Sequence, residues 1–171
     1  MTPITINGNW VESVRDSIPE HSEDIKLNLI SVMDNNGLES VDAHAIAYVA
    51  AISSGNGGLA FEIEHNSPLF SDENAREAAK TACSVMGMYN VFQPVTAMLG
   101  LTPIPLLHGE NPKVTKKQFC MYSFAASIIG KCTYSIKLHY DELIVEGLTF
   151  DQIQNIIKIV AIVSAIGKIA I

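Results

Sequence analysis

A chain of 171 residues is long enough for one domain with a sizeable core, and its apolar content of 48% sits at the usual globular level. A formal net charge of −7 with no Lys/Arg-rich run argues against nucleic acid and anionic membrane as partners, because phosphates are held by Lys and Arg. The opening MTPITINGNWVESVRD lacks a basic start followed by an apolar block, and Cys83, Cys120 and Cys132 lack disulfide-framework spacing, so no secretory leader and a reducing cytoplasm are expected.

Apolar residues recur at three and four along most of the chain, strand alternation is weak, and Gly and Pro fall at segment edges, which predicts an all-α fold. Helices are expected over about 10–17, 19–33, 40–54, 57–66, 72–92, 94–100, 115–129, 132–146 and 150–169. Pro19 suits a first turn. Ser71-Asp72-Glu73 places a cap and acidic charge at the start of the fifth segment. LTPIPLLHGENPKV, residues 101–114, carries three prolines and reads as a loop. Thr149-Phe150-Asp151-Gln152 fits a capping box. The last segment, IQNIIKIVAIVSAIGKIAI, is bracketed by Lys158 and Lys168. Its uncharged run falls far short of the roughly 18 to 20 residues that span a bilayer. A buried helix at a subunit interface is the expectation.

A weak internal repeat runs through the chain. AYVAAISSGNGGLAFEIEH, ending at His65, parallels YSFAASIIGKCTYSIKLH, ending at His139, and SDENAREAAK parallels TFDQIQNIIK. The chain is therefore expected to be one domain, 1–171, of two pseudo-repeats over about 38–92 and 115–171. The second copy alone carries a polar constellation: Cys132 and Ser135 stand where the first has Gly58 and Phe61.

The stretches PEHSEDIKLNL (19–29), AREAAKTACSVMGMYNVF (75–92), NPKVTKKQF (111–119) and YSFAAS with the cysteine–histidine stretch after it (122–139) carry a family resemblance. The chain resembles the AhpD-type alkylhydroperoxidases of the carboxymuconolactone decarboxylase-like superfamily, from about Ile18 to Ala170. That family's site reads Glu, eleven residues, Cys-x-x-Cys, and His four beyond the second Cys. Here the first thiol position is Cys132 and the histidine is His139, but Ser135 stands at the second thiol and Cys120 at the glutamate. Tyr134 replaces the histidine common between the two cysteines. The resemblance implies an antioxidant enzyme that reduces organic hydroperoxides, a trimer or hexamer, a dihydrolipoyl protein and a peroxiredoxin as partners, and a Glu–His–water relay that activates the second thiol.

The chemistry needs a thiolate, a group to take its proton, and a second thiol to resolve the sulfenic acid. Ser135 and His139 share a helix face at i, i+4. Cys132 lies two turns from His139, roughly 10 Å along the axis, too far for a direct hydrogen bond. Cys120 reaches His139 if the chain turns at Ile129-Gly130-Lys131. Each residue also has a plainer role: Cys120 and Cys132 as buried packing, Ser135 bonded to its own backbone, His139 as a satisfied core histidine, and Tyr134 as core or interface packing. Cys83 reads as core. His21, His44, His65 and His108 share no metal-ligand spacing, and no phosphate loop, zinc motif or cofactor signature occurs. Three functions stay open. One is a one-thiol peroxidase using Cys132 or Cys120. The second is a non-redox decarboxylase-like enzyme in which His139 and Ser135 do acid–base work. The third is a catalytically retired homologue kept for structure or assembly.

Overall fold

The computed structural model describes residues 9–67, 70–107, 109 and 112–169. Among these residues eight α-helices follow one another: α1 (Trp10–Ser17), α2 (Glu23–Asp34), α3 (Ser40–Ser53), α4 (Gly57–His65), α5 (Glu73–Met98), α6 (Lys116–Gly130), α7 (Thr133–Val145) and α8 (Phe150–Ile166). A 3-10 turn at Glu20–Ser22 leads into α2. No strand occurs among the described residues, and the fold is all-α. Among them no helix is long and apolar enough to cross a membrane.

Local chemistry explains most boundaries. Asn9 caps α1 by accepting from the Val11 N–H, and Asp72 caps α5 by accepting from Asn74 and Ala75. Reciprocal capping boxes, Thr115 with Gln118 and Thr149 with Gln152, start α6 and α8. The expected break before Pro94 is absent: α5 is a single helix with Pro94 inside it. Proline removes one helical hydrogen bond, but here it falls in the final turns. Thr96 ties those turns together by donating to the Phe92 and Gln93 carbonyls at 2.9 and 3.0 Å.

Helices α3 and α6 pack on each other at the centre. They are buried from Asp42 to Ala51 and from Cys120 to Ser127. Alanine and serine dominate these stretches, so the backbones approach closely. Trp10, Phe70, Tyr122 and Phe124 fill the space around them, each nearly or fully buried. Asp42 is buried on α3 and satisfied from α6, accepting from Tyr122 Oη at 2.7 Å and Gln118 Nε2 at 3.0 Å.

Helix α8 packs on α2, α3 and α6 and buries Ile153, Ile156, Ile159, Val160 and Val163 within its own chain. The expected buried helix is thus covered by its own chain along this face, while Phe150 and Ile157 stay exposed. An apolar helix is a buried helix, but the pattern does not say what covers it. Exposed large apolar side chains are spread over several helices, with a run of them at the end of α5 and just beyond, at Met98, Leu101, Ile104 and Leu107.

The join between α6 and α7 positions the site. Lys131 takes a left-handed backbone (φ 53°, ψ 28°), the one non-glycine residue among those described to do so. The chain reverses there, and α7 packs along α6. Gly130 is required by close approach: a Cβ there would fall 2.0 Å from Asn90 Nδ2. Asn90 donates to the Ala126 carbonyl at 3.2 Å, which pins α5 to the end of α6.

Candidate active site

Helix α6 supplies Cys120, and α7 supplies Ser135, His139 and Glu142. The reversal at Lys131 brings the two helices together, as the sequence requires for Cys120 to reach His139. Cys120 Sγ lies 3.8 Å from His139 Nδ1 and 3.6 Å from Glu142 Oε2. The same sulfur lies 3.5 Å from the His139 carbonyl. His139 Nδ1 lies 3.2 Å from Glu142 Oε2. The three side chains therefore close a triangle, with two corners one turn apart on α7.

The environment sets the protonation states. Burial, and then the charge of Glu142, push the Cys120 thiol far above its ordinary range. Burial pushes His139 down, and the hydrogen bond and charge of Glu142 oppose it. At neutral pH Cys120 is a thiol that donates, and His139 is a neutral imidazole. With a carboxylate at Nδ1, the favoured tautomer, assigned from the hydrogen-bond network, donates Nδ1–H to Glu142 and keeps Nε2 basic.

His139 also borders a cleft of about 360 Å³. Its other walls are Val85, Met86, Tyr89 and Gln93 from α5, Phe119 and Ser123 from α6, and Tyr134, Ser135 and Leu138 from α7. Most of these are apolar, with Ser135 and His139 set among them. Tyr134 is 59% exposed at the edge of the cleft, so it is not core packing; it stands where it can cover the pocket. Neither Cys120 nor Cys132 is in the cleft wall. Cys132 is buried at the N-cap of α7, and its side chain makes no capping bond.

All three thiols are free. Cys120 and His139 are brought together, and Ser135 and His139 share the cleft. The structure shows no bond from Cys132 to His139. Cys83 is partly buried against the core, its thiol pushed up to about 11 by burial. His44 is a core residue: Nδ1 lies 2.9 Å from Trp10 Nε1 and 2.5 Å from the Ser67 hydroxyl. His65 stacks on Phe61. His108 lies outside the described residues.

Sequence reasoning missed Glu142. It sought the carboxylate ahead of the cysteines and found Cys120 there. The signal was the three-residue spacing from His139 on a predicted helix.

No family model matches the chain. Individual relatives do. An alkyl hydroperoxide reductase AhpD from Streptomyces coelicolor is 31% identical over 164 residues, covering 92% of each chain. Proteins of the same name from Nocardia farcinica and Rhodospirillum centenum are 30% and 26% identical, covering 92% and 93% of this chain and 92% and 89% of their own. The chain belongs to the AhpD family. Against the family pattern stated above, this AhpD-family chain keeps the histidine and the first thiol. It has serine at the second thiol, and the carboxylate that meets His139 is Glu142, one turn on along α7.

Proposed function

We propose that this AhpD-family chain reduces organic hydroperoxides bound in the cleft beside His139 with a single thiol, Cys132, which is buried outside the cleft wall and is reached by local opening at the start of α7. The observation that carries this reading is the complete Glu142–His139 pair at the wall of an apolar cleft. Glu142 orients the ring through Nδ1, and Nε2 takes the proton from the attacking thiol through water. The sulfur attacks the terminal peroxide oxygen and the O–O bond breaks. The alkoxide leaves as alcohol, taking up the proton, and Cys132 becomes a sulfenic acid. Ser135 cannot resolve that acid. Two external thiols do so, giving water, a disulfide between them and free Cys132. A dihydrolipoyl protein, a partner that the family resemblance implies, is a source of such thiols, and a reducing cytoplasm suits the cycle.

Cys120 is the poorer nucleophile because its surroundings hold the proton on sulfur. Cys132 stands at the N-cap of α7, away from the Glu142 carboxylate that faces Cys120. We also assign self-association, as a trimer or hexamer, to the apolar stretch from Met98 to Leu107.

Peptide mapping after one equivalent of cumene hydroperoxide, with sulfenate trapping, tests the reading. Rapid labelling of Cys132 that His139→Ala abolishes is the expected result, and three unmodified cysteines would refute it. A second reading, acid–base chemistry on a small carboxylic acid, is favoured by the presence of Ser135 rather than a thiol beside His139 in the cleft. Activity that needs His139 and survives Cys132→Ser would select it.

A further inference from the structure

We propose that Cys120, His139 and Glu142 form a three-ligand binding site for a thiophilic divalent cation, with zinc the best fit. The donor set is one thiol sulfur, one imidazole nitrogen and one carboxylate oxygen, the ligand types zinc takes. Among the described residues it is the one cluster of three such groups whose ligand atoms all lie within 4.8 Å of one another.

The geometry is more demanding than the composition. Zinc bonds are about 2.3 Å to sulfur, about 2.05 Å to nitrogen and about 2.1 Å to oxygen, so a tetrahedral ion has ligand–ligand edges of about 3.6 Å (S–N), about 3.6 Å (S–O) and about 3.4 Å (N–O). The corresponding distances here are 3.8, 3.6 and 3.2 Å. A triangle held by two helices thus has the size of one face of a zinc tetrahedron. Three protein ligands leave a fourth position for water. The Glu142 side chain is 35% exposed, which gives the ion a route in, while Cys120 and His139 anchor the buried side.

Binding is balanced by one proton: the thiol releases it to solvent as sulfur becomes a thiolate ligand, and His139 stays neutral with its N–H moved to Nε2. Nothing is oxidised or reduced. The ion occupies the nitrogen that otherwise pairs with Glu142. Metal binding and the proton relay therefore exclude each other.

The test uses the full chain, reduced and stripped by chelator, then titrated with zinc alone against a chromophoric competitor and with cobalt(II) read by absorption. One ion per chain and a near-ultraviolet sulfur-to-cobalt charge-transfer band are expected. Glu142→Gln should weaken zinc at least about tenfold, and Cys120→Ser should remove the cobalt band. Cys83→Ser and Cys132→Ser should change neither. Absence of stoichiometric binding, or a cobalt band that survives Cys120→Ser, would overturn the site. Glu142→Gln alters a partly exposed carboxylate and tests the proposal even if the buried variants misfold; unchanged zinc affinity in that variant would also overturn it. These readouts involve no peroxide, so they fail or succeed independently of the peroxidase reading.

Discussion

His44 and His139 are both largely buried, and both engage their neighbours through Nδ1, yet the two sites have opposite character. His44 meets two neutral donors, the Trp10 indole and the Ser67 hydroxyl. No charge approaches it closely enough to offset burial, and it is pushed down to about 4. His139 meets a carboxylate, which opposes the effect of burial. Both border a cleft, about 360 Å³ beside His139 and about 140 Å³ beside His44, and the Trp10 ring packs edge-on against His44. The difference shows that burial alone does not set a histidine's chemistry; the group on its ring nitrogen does so too. What sets His139 apart is an anionic partner on one nitrogen.

The largest effect should come from breaking the structural member. His44→Ala leaves the Trp10 N–H and the Ser67 hydroxyl unpaired in the core and opens a cavity, at a cost of roughly 2–4 kcal/mol in chemical denaturation. Peroxide labelling of the remaining folded protein should be unchanged. The same histidine has a pH signature. Its folded value of about 4 lies below the unfolded one of about 6.5, so the unfolded chain binds more protons between them. Stability is complete above that window and is lost as pH falls through it, by up to roughly 3 kcal/mol. Denaturation midpoints taken from neutral pH down to about pH 4 should show this slope, and His44→Ala should flatten it.

The functional member should give the converse. His139→Ala should slow Cys132 sulfenate formation by roughly a hundredfold and lower the melting temperature by only a few degrees. Glu142→Gln keeps shape and removes charge. It should reduce the labelling rate by about tenfold, the scale of a lost orienting partner. A smaller effect is expected at the helix join. Lys131→Gly relieves a left-handed backbone at some entropic cost and should change stability by less than about 1 kcal/mol.

The fold was largely legible because its boundaries are written in capping chemistry. Asp72 and the Thr149–Gln152 box stand where the helices begin. Pro94 misled because a proline reads as a stop, whereas near a helix end its missing bond is cheap. The burial of α8 was legible, but what covers it was not, since apolarity carries no address. At the site, Cys120 meeting His139 could be stated as a condition on the turn, and Lys131 meets that condition. Glu142 was hidden by expectation rather than by physics: its three-residue spacing from His139 was in plain view. The protonation of Cys120 was not legible, because it depends on burial and on a charge from another helix.

The Glu142–His139 pair lies within one turn of α7, whereas Cys120 belongs to α6. Base and orienter thus travel as one rigid body. A slide or roll of α7 would leave their hydrogen bond intact and change their distance to the sulfur. The joint of this site that can loosen is the seam between two helices, and a single left-handed lysine sets its starting alignment.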